Sequence, residues 1–149
     1  MRTLAIAIAC CAVWPLAACS PIVALESAPD AASPECAAVS VRLPDAIGDL
    51  MGRETNAQAT AAWGEPTAVI LHCGVPAPPP TSDLICVTVP DGKVDWLRDD
   101  NDQVTYIFTS YGRTPAVSVA IDSTMASGLE VLDAIDAAVS TLPQDGACL

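Results

Sequence analysis

The sequence predicts an α+β domain, in which an antiparallel sheet of about five strands carries a short N-terminal helix and a long C-terminal helix on one face. Two observations support this fold class. Strand-like segments outnumber helical ones after residue 36, and short turns join them. The last periodic segment begins near Ser127, keeps an apolar stripe at helical spacing and stops at Pro143.

The first eighteen residues have the features of a bacterial lipoprotein signal peptide. Arg2 supplies a positive charge, and residues 4–18 form an uncharged, largely apolar run that is short for a membrane span. The run ends in Leu16-Ala17-Ala18-Cys19, which resembles a lipobox. This resemblance implies a diacylglyceryl thioether on Cys19 and cleavage before it. An ordinary cleaved signal and a retained helix are the alternatives.

The rest of the chain divides into a tether and one domain. Residues 19–35 are rich in Ala, Ser and Pro without periodicity, so we predict a lipidated cysteine followed by a flexible tether. One extracytoplasmic domain is predicted over residues 36–149. Once the leader with Arg2 is removed, five basic residues face 18 acidic ones, a net charge of −13. Such a surface repels nucleic acid and favours cationic partners.

The elements of the domain are predicted from periodicity and turn composition. A short strand is expected at residues 39–42, and a short helix after Asp45, a plausible N-cap. A stiff polyproline-like loop is expected from Val75 to Thr81, which holds four prolines. The C-terminal helix begins at a capping-box pattern, Ser127 to Glu130. The remaining strands are predicted at residues 69–72, 85–89, 94–98, 103–111 and 116–121.

Four cysteines remain after the leader and the lipidated cysteine, and an even number in an exported domain suggests two disulfides. Of the three possible pairings, we predict Cys73–Cys86, which would close a short loop between adjacent strands. Cys36–Cys148 would then tie the start of the domain to its end. This pairing makes residues 63–96 a disulfide-clamped β-ribbon.

The sequence shows no catalytic motif, so the chain is predicted not to be an enzyme. His72 is the only histidine, and there is no G-x-S-x-G, HExxH or CxxC pattern. Paired carboxylates such as Asp91 and Asp95 leave a hydrolase open as an alternative. The acidic cluster at residues 99–102 is predicted to form a solvated hairpin turn, with calcium binding as the alternative. No metal or cofactor is predicted.

A candidate ligand cleft is predicted from the aromatic residues Trp63, Trp96 and Tyr111 with Arg113. Aromatic walls and one arginine would suit a sugar or a peptide carboxylate. The alternative is that these aromatic side chains fill the core. The proline loop is either a rigid spacer or an edge that docks a partner.

Five short motifs occur in a fixed order. They are Trp63-Gly64-x-Pro66, Leu71-x-Cys73-Gly74-Val75, Val94-Asp95-Trp96, Tyr111-Gly112-Arg113-x-Pro115-Ala116-Val117 and the C-terminal Cys148. Together they resemble an uncharacterised actinobacterial envelope lipoprotein family, domain of unknown function 3515. The resemblance spans roughly Cys36 to Cys148 and implies location and domain extent, but no reaction, ligand or partner.

We therefore predict a lipid-anchored protein on the outer face of the cell membrane. It would be a non-enzymatic binding or scaffolding module whose partner is an envelope protein or a cell-wall component. An envelope hydrolase that uses carboxylates and a purely structural spacer are the alternatives.

Overall fold

The structure is a computed structural model of the chain and describes residues 21–81, 83–100 and 104–148. The predicted leader and the predicted lipidation site, Cys19, lie outside these residues. The described part forms one antiparallel sheet of eight strands and two helices. Neither of these helices is long and apolar enough to cross a membrane. In chain order, the elements are α1 (Pro34–Ser40), β1 (Ala46–Ile47), β2 (Leu50–Arg53), β3 (Thr60–Trp63), β4 (Val69–Val75), β5 (Ile85–Thr88), β6 (Asp95–Asp99), β7 (Thr105–Tyr111), β8 (Ala116–Asp122) and α2 (Gly128–Val139).

The strands are ordered β1-β2-β3-β4-β8-β7-β6-β5, so β4 and β8 lie at the middle of the sheet. One face of these strands is buried against both helices, and we call it the helix face. Leu71 on β4 and Val119 on β8 meet Val39 of α1 and Leu132 and Ile135 of α2 in one core. Burial of these side chains is the main source of stability on this side of the sheet.

The predicted sheet of about five strands is wrong, because the sheet has eight strands. The five strands predicted between residues 69 and 121 correspond to β4–β8. The prediction missed β1, β2 and β3, which have two, four and four residues. Runs this short give little alternation for a pattern to reveal. Both helices are also short, with seven residues in α1 and twelve in α2.

The N-terminal part differs from the prediction in two elements. The predicted strand at residues 39–42 is wrong, since Val39 is buried in α1 while Val41 is 79% exposed, whereas alternate strand residues would share a face. The predicted helix after Asp45 is also wrong, because this stretch forms the β1–β2 hairpin. Gly48 begins its two-residue turn with φ +53°, which suits a tight hairpin and not a helix.

The strand register defines a second face of the sheet, which we call the outer face. His72, Ser118, Thr109, Leu97 and Cys86 are successive cross-strand partners, one on each strand from β4 to β5. Successive residues of a strand point to opposite faces, so these side chains lie opposite the core.

The proline-rich segment, described at residues 76–81 and 83–84, crosses the outer face. Four antiparallel pairings separate β4 from β5, so the two strands run in the same direction. The connection must therefore run from the end of one strand to the start of the other across three strands, a lateral distance of roughly 19 Å. An extended chain of nine residues spans roughly 28 Å, which is enough. Pro80 and Leu84 share a cavity with Leu97, which places the crossing on the outer face.

The disulfides join different cysteines from those predicted. Cys36 is bonded to Cys73, and Cys86 to Cys148, with Cα–Cα distances of 5.6 and 6.4 Å. The predicted Cys73–Cys86 and Cys36–Cys148 pairs are therefore wrong, as is the β-ribbon over residues 63–96. Cys73 lies on the helix face beneath α1, whereas Cys86 lies on the outer face four strand positions away. A disulfide cannot span that distance.

The segment before α1 is bonded to the domain. Val23 forms a bridge with Thr55, and the Leu25 N–H donates to Oδ1 of Asn56 over 2.6 Å. Further along, the Asp30 N–H donates to the carbonyl of Gly74 over 3.0 Å. In its described part, residues 21–35, this segment thus packs along the sheet and is not the flexible tether that the sequence predicts.

The two disulfides should differ in their resistance to reduction. Cys86 is exposed and Cys148 is half-buried, whereas Cys36 and Cys73 are fully buried. Attack by a thiolate needs access to sulfur. In the folded protein, dithiothreitol should therefore reduce Cys86–Cys148 roughly an order of magnitude faster than Cys36–Cys73. Alkylation of the freed thiols followed by peptide mapping measures both the rate and the pairing. Earlier alkylation of Cys36 and Cys73 would contradict the expectation.

Candidate functional site

The four residues of the predicted cleft do not come together. Trp63, Trp96 and Arg113 are only 1%, 0% and 4% exposed, whereas Tyr111 is half-buried on the outer face. The Trp63 indole donates to the carbonyl of Pro44 over 3.1 Å. The predicted cleft is therefore wrong as a single site, and both tryptophans are part of the core.

Arg113 holds the C-terminal end of α2. Its Nη1 donates to the carbonyls of Ser140 and Leu142 over 3.1 and 2.6 Å. Its Nη2 donates to the carbonyl of Lys93 over 2.7 Å. A cation at this end of a helix donates to carbonyls that lack partners within the helix, and it interacts favourably with the negative end of the helix dipole. The guanidinium is thus committed to the fold and is not free for a ligand.

Asp136 binds the other side of the same peptide segment. Its Oδ1 accepts the N–H groups of Lys93 and Val94 over 2.9 and 3.1 Å. The backbone of Lys93 is therefore held between a buried carboxylate and a buried guanidinium. Together, Arg113 and Asp136 fix the turn between β5 and β6 against α2.

Residues 144–148, which we call the C-terminal strap, lead from the helix face to the outer face. The Asp145 N–H donates to the carbonyl of Gly112 over 2.9 Å, at the turn between β7 and β8. Gly112 has φ +62°, and a Cβ there would overlap the backbone of the strap. Beyond this close approach, the strap reaches Cys148, which is bonded to Cys86 on β5.

A cavity of about 720 Å³ lies between the strap and the proline-rich crossing, and we call it the outer-face pocket. Its volume is typical of small-molecule sites. Leu97 and Tyr111 belong to the strands beneath it, and Leu97 is only 4% exposed although neither α1 nor α2 covers that face. The lining residues are Pro80, Thr81, Leu84, Cys86, Leu97, Tyr111, Ala147 and Cys148.

The chemistry of the outer-face pocket is apolar and uncharged. None of the eight lining residues carries a charged side chain. The polar side-chain groups are the hydroxyls of Thr81 and Tyr111. The Thr81 hydroxyl accepts the N–H of Asp83 over 3.0 Å. The pocket therefore suits a neutral apolar group that makes one or two hydrogen bonds.

A second cavity, of about 580 Å³, lies beside β2 and is lined by the charged residues Asp49, Arg53, Glu54 and Glu65. The Arg53 guanidinium donates to the carbonyls of Gly64 and Pro21 over 2.9 and 2.7 Å, and forms an ion pair of 2.8 Å with Glu65. The only cation of this cavity is thus engaged in holding the N-terminal segment. We therefore place the candidate site at the outer-face pocket.

Of the carboxylates considered for catalysis or calcium binding, Asp95 and Asp100 are engaged in other contacts. The two oxygens of Asp95 accept the Thr88 hydroxyl over 2.6 Å and the Cys148 N–H over 2.8 Å. Asp100 forms an ion pair of 2.7 Å with Arg98, and this hydrogen bond raises the pKa of Arg98. Residues 101 and 102 of the acidic cluster lie outside the described residues.

The remaining candidates are a histidine and a metal-ligand set. His72 is half-buried on the outer face, where its cross-strand partners are Thr60 and Ser118, so no acidic residue stands in register with it. Within the described residues, one cluster has metal-ligand spacing, and it consists of Cys86, Asp95 and Cys148. Its two sulfur atoms form the disulfide and offer no thiolate.

The sequence identifies Tyr111 as a site residue but misses the side chains that surround it. Leu84, Leu97 and Ala147 belong to three segments that only the strand order brings together. The available signal was the length of the proline-rich connection, which exceeds that of a hairpin loop between adjacent strands.

Replacement of Arg113 by Met should lower the free energy of unfolding by about 3 kcal/mol, because three carbonyls would lose a charged donor. Arg42→Met is a matched control, since the exposed Arg42 donates only to the carbonyl of Ala38. Its effect should stay within about 0.5 kcal/mol. Urea unfolding monitored by tryptophan fluorescence measures both. Equal effects would contradict the structural role of Arg113.

One of three comparisons with known proteins gives a match, and that match is to a family model. Neither a search of curated proteins nor a search of solved structures found a match. A family model matches residues 3–146, which include residues 3–18 of the predicted leader, Cys19 and every motif except Cys148. Since the match covers nearly the whole sequence, the chain belongs to the family described as protein of unknown function (DUF3515).

Proposed function

We propose that the chain is a lipid-anchored, extracytoplasmic binding module that holds a neutral apolar group of an envelope component in the outer-face pocket. The observation that carries this proposal is the pocket itself, a cavity of about 720 Å³ with apolar walls. Most of its lining side chains are hydrophobic, and two hydroxyls can orient a ligand, which is the usual composition of a binding site.

The acidic residues around the pocket limit the charge that a ligand can carry. Asp83 belongs to the proline-rich crossing, Asp145 belongs to the strap, and Asp95 accepts a hydrogen bond from the strap. An anionic ligand would meet these negative charges, and no described residue of the pocket wall carries a positive charge that could compensate for them. Neutral or cationic molecules are therefore the class that fits.

The sequence of the leader supports the anchor. Leu16-Ala17-Ala18-Cys19 follows an apolar run and precedes the domain, in the order that a lipoprotein needs. Two acyl chains on Cys19 would hold the protein stably at a membrane surface. Two disulfides in the described part agree with an oxidising compartment. The resemblance to an actinobacterial envelope family points to the same location.

A binding role is favoured over the two alternatives. A hydrolase would need two carboxylates free to act in a cleft, but in the pair Asp91 and Asp95 the Asp95 carboxylate is used to hold Thr88 and Cys148. A purely structural spacer would have no need for a formed cavity. We therefore propose binding without catalysis.

Cys19→Ser should abolish incorporation of labelled fatty acid and leave unprocessed precursor, because the thioether that signal peptidase requires would be missing. Metabolic labelling and membrane fractionation measure this outcome. Cys10→Ser is the matched control and should be processed and labelled normally. A processed Cys19→Ser protein that stays with the membranes would contradict the anchor.

A photoreactive benzoylphenylalanine in place of Thr81 should capture the pocket's ligand in intact cells. Thr81 lines the pocket and is exposed, so the replacement leaves the core untouched. Ala134, exposed on α2, is the matched control position. Mass spectrometry should find a light-dependent adduct on the peptide that contains residue 81 and none at residue 134. The same yield at both positions would contradict a specific site.

A further inference from the structure

One edge of the sheet is open at β5. This strand, Ile85–Thr88, pairs with β6 on one side only. No described residue hydrogen-bonds to the backbone on its other side. The opposite edge is formed by β1, which has only two residues and packs near α2. β5 therefore presents the longer row of unpaired N–H and C=O groups.

β5 carries none of the side-chain features that usually protect an edge strand. Its residues are Ile85, Cys86, Val87 and Thr88, without lysine, proline or a bulge. Ile85 is 53% exposed. Soluble proteins commonly block such an edge with charge, proline or a covering segment. An open, apolar edge is the structure that accepts an additional strand from a partner.

The open edge adjoins the outer-face pocket. Cys86 of β5 and Leu84, just before it, both line the cavity. Alternate side chains of an added strand would point to the outer face, because neighbouring strands share the same pleat. One of those side chains would thus lie beside the pocket, while the peptide backbone pairs with β5. Backbone pairing would supply affinity and the pocket would supply selectivity.

Charge selects the kind of partner. Asp83 and Asp91 are exposed on either side of β5, and the mature chain carries 18 acidic residues against five basic ones. Arg98, the cross-strand partner of Ile85, is neutralised by its ion pair with Asp100. A basic segment would approach this edge more readily than an acidic one.

We infer that β5 and the outer-face pocket together bind an extended, basic polypeptide segment, which adds to the sheet as a ninth strand and places an aliphatic or aromatic side chain in the pocket. This inference rests on the proposed binding function and names the class of its partner, a basic protein segment. Hydrogen exchange can test it, because pairing would protect backbone amides of β5 that are open in the free protein.

The probe is the synthetic peptide acetyl-KVTFTVK-amide, added to the mature lipoprotein in phospholipid nanodiscs. At saturating peptide, the amides of residues 85–88 that point away from β6 should exchange at least about tenfold more slowly than in the free protein. The peptide residues form two alternating sets, and the N–H groups of only one set face β5. N-methylation of that set should abolish binding, and N-methylation of the other set should leave binding unchanged. Acetyl-EVTFTVE-amide should bind at least about tenfold more weakly.

The outcomes separate this inference from the proposed function. Binding that leaves β5 unprotected, or that tolerates N-methylation of both sets, would overturn strand addition. Absence of binding together with a specific photoadduct at residue 81 would overturn the peptide partner and leave the pocket as a small-molecule site. Ala147→Trp, in the strap wall of the pocket, should weaken binding of the peptide with phenylalanine more than binding of a peptide with alanine in its place, and equal weakening would overturn the role of the pocket.

Discussion

The separation of β4 from β5 by three antiparallel strands is the constraint on which the outer face depends. Because the two strands run in the same direction, their connection must cross the sheet, and a chain with four prolines suits a long, extended path. The crossing covers Leu97 on a face that neither α1 nor α2 reaches. The same separation keeps Cys86 away from Cys73 and leaves it to bond Cys148.

The residues that carry the family resemblance hold this arrangement together. Arg113 joins the end of α2 to the β5–β6 turn, and Asp95 receives the N–H of Cys148 at the end of the strap. Gly112 permits the strap to pass closely, and Cys73 ties β4 to α1. In the structure these motif residues serve the fold, and none of them is a side chain free to react. Tyr111 and Cys148 are the motif residues that line the pocket, and the sulfur of Cys148 is held in the disulfide with Cys86.

The sequence revealed the parts of the fold that depend on local pattern. Strands β4–β8 and α2 were predicted because their alternation or helical period is long enough to recognise. The β1–β2 hairpin was read as a helix because Ile47, Leu50 and Met51 also fit helical spacing. The disulfide pairing and the pocket were missed for a different reason. Both depend on strand order, which local patterns do not encode, and the prediction assumed that consecutive strands pair.

The two faces of the sheet are stabilised in different ways, and this difference accounts for the pocket. The helix face is closed by two helices whose apolar side chains fill the space beneath them. The outer face is crossed by two single segments, the proline-rich crossing and the C-terminal strap, and the latter is bonded through Cys148 to β5. Two narrow segments cannot cover as much of the outer face as α1 and α2 cover of the helix face. The space left between them, above Leu97 and Tyr111, is therefore a consequence of the topology, and the disulfide keeps one of its walls in place.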